Sequence, residues 1–164
     1  VGGGKYRRAA DGRDKFKGVE WTVNGKLAPK WTVTGGLMYI DAKRDKTQGG
    51  KNDGRFVNGV ADWSGVLGLV YEPNDSLGII GRVVWNNAAY IDNSNAPSGK
   101  TKIPSYTTFD LGVNYKTHLG QIPVSLSAMC YNVANKDYWM GRGSSTTFGL
   151  SMPRTFMLSA RFEF

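Results

Sequence analysis

A single cysteine, Cys130, and a single histidine, His118, stand in a chain of 164 residues. One cysteine excludes an internal disulfide framework and any cysteine cluster for zinc or for iron and sulfur. One histidine leaves no partner for a histidine metal site or a histidine-based catalytic triad. Most enzyme chemistry falls away with them, and the expectation is a chain with no catalytic residues, no intrinsic cofactor and no bound metal of its own.

Long apolar runs are missing too. A spanning helix needs roughly 20 predominantly apolar residues, whereas the longest uncharged run, Thr117 to Asn135, is broken by His118, Gln121, Pro123, Ser125, Ser127 and Asn132. A helical membrane bundle is therefore excluded. Low-complexity polar tracts are equally scarce, since aromatic and β-branched residues recur along the whole length, which is not the composition of disorder. The first residues, Val1-Gly2-Gly3-Gly4-Lys5, lack a basic segment followed by an apolar stretch. The expectation is either a mature start or a fragment whose targeting information lies upstream. Acidic residues are in deficit, 13 against 21 Lys and Arg, for a formal charge of +8.

What the chain does contain is alternation. Val19, Trp21, Val23, Gly25 and Leu27 are interleaved with Glu20, Thr22, Asn24 and Lys26. Trp31, Val33, Gly35, Leu37 and Tyr39 repeat the scheme after Ala28-Pro29-Lys30, a link so short that a hairpin is predicted. Trp63, Gly65, Leu67, Leu69 and Tyr71 lead through Pro73-Asn74-Asp75-Ser76 into Leu77, Ile79, Gly81, Val83 and Trp85. In that link proline pre-sets φ and the polar side chains bond the local backbone, so it is read as a turn rather than as a glycosylation sequon. Phe109, Leu111, Val113 and Tyr115 turn through His118-Leu119-Gly120-Gln121 into Val124, Leu126, Ala128 and Cys130, and the last strand alternates from Phe156 to the terminal Phe164. A period of two is the strand signal.

The charges Glu20, Lys26, Asp62, Glu72, Arg82, Asp110, Arg161 and Glu163 share one parity, and the opposite parity is apolar or Gly. A soluble half-buried sheet shows the same pattern. Link lengths separate the two cases. Short links after Leu27, Tyr71 and Thr117 alternate with long polar ones over 42–60, 91–105 and 135–152, as periplasmic turns alternate with extracellular loops in outer-membrane barrels. Trp21, Trp31, Trp63, Tyr71, Trp85 and Tyr115 lie on the apolar parity, several near strand ends, where such rings favour the headgroup level. The expected fold is all-β, an antiparallel transmembrane β-barrel.

Four stretches carry a family resemblance: Phe16-Lys17-Gly18-Val19-Glu20-Trp21; Trp31 through Ala42; Ile103-Pro104-Ser105-Tyr106-Thr107-Thr108-Phe109-Asp110-Leu111-Gly112; and Tyr131-Asn132-Val133-Ala134-Asn135-Lys136-Asp137-Tyr138-Trp139, followed by Pro153-Arg154-Thr155-Phe156 and Phe164. In order and spacing they resemble the C-terminal part of a TonB-dependent outer-membrane receptor of the ferric-siderophore type. The resemblance implies a barrel of about 22 strands around an N-terminal plug. Residues 1–164 then form a single incomplete barrel domain of roughly the last eight strands, the first of them only Lys5 to Ala9, with plug and TonB box absent. It further implies a bacterial outer-membrane location, a transport role with a ferric siderophore as cargo, and no enzymatic activity. The implied partners are outer-membrane lipid, lipopolysaccharide and the barrel-assembly machinery, with TonB engaged only through the missing N-terminal region. The alternative reading is a self-standing eight-stranded outer-membrane barrel with a structural or adhesive role.

The basic excess falls partly in the long links, as Lys43, Arg44, Lys46, Lys51, Arg55, Lys100, Lys102 and Arg142. Scattered there on a chain whose strands bear both signs, it fits an anionic chelate or lipopolysaccharide phosphates better than nucleic acid. Tyr90, Tyr138, Trp139, Phe148 and Arg142 are the candidate ligand-facing residues. Phe156, Leu158, Ala160, Phe162 and Phe164 form the candidate assembly signal, recognised by strand addition to an open edge. Ser98-Gly99-Lys100-Thr101 is not a phosphate loop, because Ser94 stands where the first Gly is required and Ile103-Pro104 where a helix must start. Cys130 is read as a small lipid-facing residue.

Overall fold

The computed structural model describes residues 12–92, 101–144 and 147–164, with the side chains of 141–148 outside that description. The chain runs β1 (Arg13–Ala28), β2 (Trp31–Lys46), β3 (Trp63–Asn74), β4 (Leu77–Asn86), β5 (Ala89–Asp92), β6 (Thr101–Ile103), β7 (Tyr106–Leu119), β8 (Ile122–Tyr131), β9 (Trp139–Ser144), β10 (Thr147–Leu150) and β11 (Thr155–Phe162). Among the described residues the one helical piece is a 3-10 turn, Gln48–Gly50. Among the described residues no helix is long and apolar enough to cross a membrane, which has no bearing on crossing by strands.

β1-β2-β3-β4-β7-β8-β11 form one 7-stranded sheet, every neighbouring pair antiparallel. β5 with β6 and β9 with β10 form two small hairpins in the long connections. The short turns share one end of the sheet. There Glu72 N–H donates to the Lys30 carbonyl at 2.9 Å and Lys116 N–H to the Ser76 carbonyl at 2.8 Å, locking neighbouring turns together. Asn74 closes its turn as its residue type predicts, its Oδ1 accepting from the N–H groups of Ser76 and Leu77 at 3.0 and 2.9 Å. Gly120 takes φ 62° in the β7–β8 turn, a conformation open to glycine at no steric cost.

Register carries the two faces across the whole sheet. Trp21 opposes Leu37, which opposes Gly65, which opposes Trp85. Val33, Leu69, Gly81, Leu111 and Cys130 likewise follow one another strand by strand, and Cys130 then opposes Phe156. A slip of one residue at any pair would exchange the faces. The apolar face is exposed: Trp21 is 63%, Leu111 54%, Phe156 73% and Leu158 81% accessible. Among the described residues no large side chain is fully buried, so no second layer covers this face. A contiguous apolar surface of that extent calls for a nonpolar surrounding.

The sequence expectation of all-β antiparallel structure stands, and one particular, the extent of the long links, changes. The main sheet has seven strands, and the eighth expected strand, Lys5 to Ala9, lies outside the described residues. The long links are shorter than expected. β2 continues to Lys46, so Lys43, Arg44 and Lys46 are strand residues, and Lys102 and Arg142 lie on β6 and β9. Backbone pairing with Arg13 to Phe16 extends β2 there, where charged side chains hide the apolar period. Ser94 and Ser98 to Lys100 lie outside the described residues, as does the side chain of Phe148.

Candidate functional site

The inner, polar face collects its functional groups at the long-loop end. β4 places Arg82 opposite Asp110 of β7, because alternation puts both on the polar parity and the register aligns them. Their side chains meet at 2.7 Å, with Asp110 buried and Arg82 half-exposed. Asp110 also accepts from the Asn132 backbone N–H at 2.8 Å. Its two oxygens thus hold β4 and the segment after β8 against β7.

Asn132 extends the clamp. It adopts φ 50°, a left-handed conformation that asparagine tolerates better than most residues. Its side-chain amide donates to the carbonyls of Lys136 and Met152 at 3.0 and 3.1 Å, and its Oδ1 accepts from Lys136 N–H at 2.9 Å. Asn135, at φ 51°, accepts from the Arg154 N–H at 2.8 Å through Oδ1. The Asn132-Val133-Ala134-Asn135 motif is therefore a buckle that ties the β8–β9 segment to the start of β11.

Two aromatic groups rise from this frame, on opposite sides of it. On the inner parity Tyr138 stacks on Tyr106 with ring centroids 3.8 Å apart, and the Tyr106 hydroxyl accepts from Asn86 at 2.9 Å. Tyr131 lies beneath the Arg82 guanidinium, 5.6 Å from ring centroid to Cζ. A half-exposed guanidinium and several phenols thus share the polar face, a set able to bind an anionic or aromatic solute by charge and stacking.

On the other side, Tyr90 stacks on Phe56 at 5.6 Å, with Lys102 4.3 Å above Tyr90 and Lys43 5.7 Å from Phe56. Lys43 and Phe56 form a β-bridge, so this stack follows the outward parity of β2. The structure thus separates Tyr90 from Tyr138, which the sequence reading grouped together. Trp139 is 44% exposed at the start of β9, and the side chain of Arg142 lies outside the described residues. Sequence reasoning missed Arg82, Asn86, Tyr106 and Tyr131 as site residues. Their shared parity at the long-loop strand ends was the available signal. At the other extreme, Phe156, Leu158 and Phe162 are exposed along β11, and Phe164 beyond it fully so. Among the described residues no group of three or more His, Cys, Asp or Glu side chains gathers to hold a metal.

The chain matches the family model described as TonB dependent receptor-like, beta-barrel, over residues 1–133. It is 27% identical to the ferrichrome receptor FcuA of Yersinia enterocolitica over 156 residues, covering 93% of this chain and 20% of that protein. It is 25% identical to the probable TonB-dependent siderophore receptor PiuA of Acinetobacter baumannii, covering 93% of this chain and 21% of that one. The crystal structure of BauA, the ferric preacinetobactin receptor of Acinetobacter baumannii, superposes with a TM-score of 0.82 at 30% identity, covering 95% of this chain and 23% of that chain. The chain therefore spans about a fifth of the length of the curated relatives it matches.

Proposed function

Because this chain belongs to the TonB-dependent receptor β-barrel family, we propose that it is part of the barrel wall of an outer-membrane receptor that imports ferric siderophores. The observation that carries the reading is the two-faced sheet, its apolar side continuous across seven strands and its charged side bearing Arg82, Tyr106, Tyr131 and Tyr138 at the long-loop end. Lipid surrounds the apolar side, and a water-filled lumen solvates the charges on the other.

In this reading the sheet closes with further strands into a barrel of about 22, and the plug and the contact with TonB belong to the rest of the receptor. The siderophore is cargo. Arg82 offers it charge, and Tyr138 and Tyr106 offer stacking surfaces, with Trp139 next in the chain at the start of β9. Tyr90 takes an outward role. β11 is the strand presented to the barrel-assembly machinery. Among the described residues its outer edge pairs with no other strand, which leaves it open to strand addition before the barrel closes, and Phe164 follows Phe162 with ring centroids 6.4 Å apart.

The test is uptake of radioiron by cells carrying or lacking the full-length gene, over a panel of hydroxamate, catecholate and mixed ferric chelates. Loss of uptake for one chelate, restored by the wild-type gene and reduced at least tenfold with Arg82→Ala, is the expected result. Unchanged uptake of every chelate on deletion overturns the proposal.

A further inference from the structure

Tyr106, the first residue of β7, and Tyr138, the residue before β9, stack with ring centroids 3.8 Å apart and planes 16° from parallel. That is closer than Trp31–Tyr71 at 4.6 Å or Tyr39–Trp63 at 4.9 Å, and those pairs, like Phe56–Tyr90, hold one phenol where this contact holds two. Both rings are fixed from outside the contact. The Asn86 side-chain amide, on the residue opposite Tyr106 across β4 and β7, donates to the Tyr106 hydroxyl at 2.9 Å. Tyr138 is held through its backbone, its N–H donating to Ser151 Oγ at 3.1 Å and its carbonyl accepting from the Ser151 N–H at 2.9 Å. Both side chains are half-buried, so a small solute reaches each phenol. The transport reading uses these rings as stacking surfaces and gives the contact between them no role.

We propose that Tyr106 and Tyr138 form a site of oxidative coupling, at which a peroxide converts the stacked pair into a dityrosine that staples the segment before β9 to β7. Loss of one electron and one proton from each hydroxyl leaves two phenoxyl radicals, whose spin spreads onto the ring carbons ortho to oxygen. The lobes of that spin density stand perpendicular to the ring plane, so rings stacked face to face present them to each other. One carbon–carbon bond forms between an ortho carbon of each ring, and the two ortho hydrogens pass to the oxygens and restore both phenols. Two electrons and two protons leave the pair in all. One hydrogen peroxide takes them up as two water molecules, through a haem peroxidase or an iron centre that returns to its starting state. Contact before reaction makes the coupling effectively unimolecular, ahead of capture of either radical by another chain. The new bond spans the connection from β7 through β8 to β9, so the root of the β9–β10 hairpin stays on the sheet. This chemistry goes beyond the transport reading and needs no cargo.

The test treats the full-length receptor, purified in detergent, with hydrogen peroxide and a haem peroxidase, and reads its tryptic peptides by mass spectrometry. Cleavage after Lys102, Lys116, Lys136 and Arg142 puts the two tyrosines on separate peptides. The expected product joins Tyr106 to Tyr138, is lighter than the sum of its parts by two hydrogen atoms, and is about tenfold more abundant than any other tyrosine pair. Tyr106→Phe and Tyr138→Phe keep the ring and remove one phenol, and each is expected to abolish that product. Tyr71→Phe, whose ring stacks on Trp31, is expected to leave it at wild-type yield. A mixture of heavy-isotope and ordinary receptor is expected to give no heavy–light pair, and hydrogen exchange at the β9 amides to slow severalfold on oxidation of wild type but not of Tyr106→Phe. Absence of the pair under conditions that couple free tyrosine, its persistence in either variant, heavy–light pairs in equal amount, or unchanged exchange overturns the proposal. The wild-type digest carries the decision even where a variant fails to fold. Failure of the coupling leaves the transport reading standing, and unchanged uptake on gene deletion leaves the coupling standing.

Discussion

Arg82 and Asp110 meet across β4 and β7 at 2.7 Å, one half-exposed on the polar face, the other 6% exposed and also holding the Asn132 N–H. The two partners are unequal for that reason. Removing Arg82 leaves a buried carboxylate held by a single N–H, while removing Asp110 leaves a half-exposed cation that solvent reaches and the Asn132 N–H without its acceptor. Arg82→Ala is expected to destabilise the folded protein by about 3 kcal/mol through the uncompensated buried charge, and Asp110→Ala by about 2 kcal/mol. Urea unfolding in lipid vesicles measures both, and a double-mutant cycle with coupling below about 0.5 kcal/mol would refute the account.

The parity of the sheet has a direct chemical test at two adjacent positions. Leu67 lies on the outward face, midway between Trp63 and Tyr71, and Val66 on the inner face. Leu67→Arg is expected to cost about 2–4 kcal/mol of insertion free energy, and Val66→Arg far less. Folding yield into vesicles reads the difference, and equal costs contradict the assignment of faces.

Gly35 is a matter of close approach. A Cβ there would lie 2.7 Å from the Val66 carbonyl oxygen and 3.1 Å from Leu67 Cδ1. Gly35→Ala is expected to lose about 1–3 kcal/mol through strand displacement, while Gly25→Ala, which meets nothing within 4 Å, loses little. Thermal denaturation of the pair in detergent separates them.

The Asn132 buckle depends on one side chain that both donates and accepts. Asn132→Ala is expected to cost about 2 kcal/mol from the lost bonds and the unfavourable φ. Its signature is local: faster hydrogen exchange at Lys136 and Arg154, with the β2–β3 amides unchanged.

Phe164 is fully exposed beyond the end of β11. Phe164→Ala is expected to leave the unfolding free energy of the assembled protein within about 0.5 kcal/mol of wild type while lowering the amount assembled in the membrane severalfold. Pulse-labelling of the outer-membrane fraction gives that rate, and unchanged assembly removes the signal role from this residue.

The strands of the main sheet, its hairpins and the two faces were legible in the residues because a period of two survives any packing, whereas the small hairpins β5–β6 and β9–β10 lie in stretches that read as links. Trp21, Leu67, Val83 and Leu111 alternate with polar neighbours whether or not the sheet is seen. Strand length at the long-loop end was not. From Arg13 to Lys17 and from Asp41 to Lys46 nearly every side chain is charged, so alternation leaves no mark, and only cross-strand pairing shows that both segments are extended. Tyr90 and Tyr138 were equally indistinguishable, since each is an aromatic in a polar link.

The sequence by itself determined an antiparallel all-β wall with one apolar side, short turns at one end, and the motifs of a family. Each of these depends on neighbours along the chain, whose side chains strands must send to alternate faces. Tertiary structure decided which distant residues share a site. Arg82 meets Asp110 and Tyr131, Tyr138 meets Tyr106, and Lys43 meets Phe56 while Phe56 meets Tyr90, because register aligns strands that are far apart in sequence. Register is set by hydrogen bonds and packing between strands, and no residue carries that information alone.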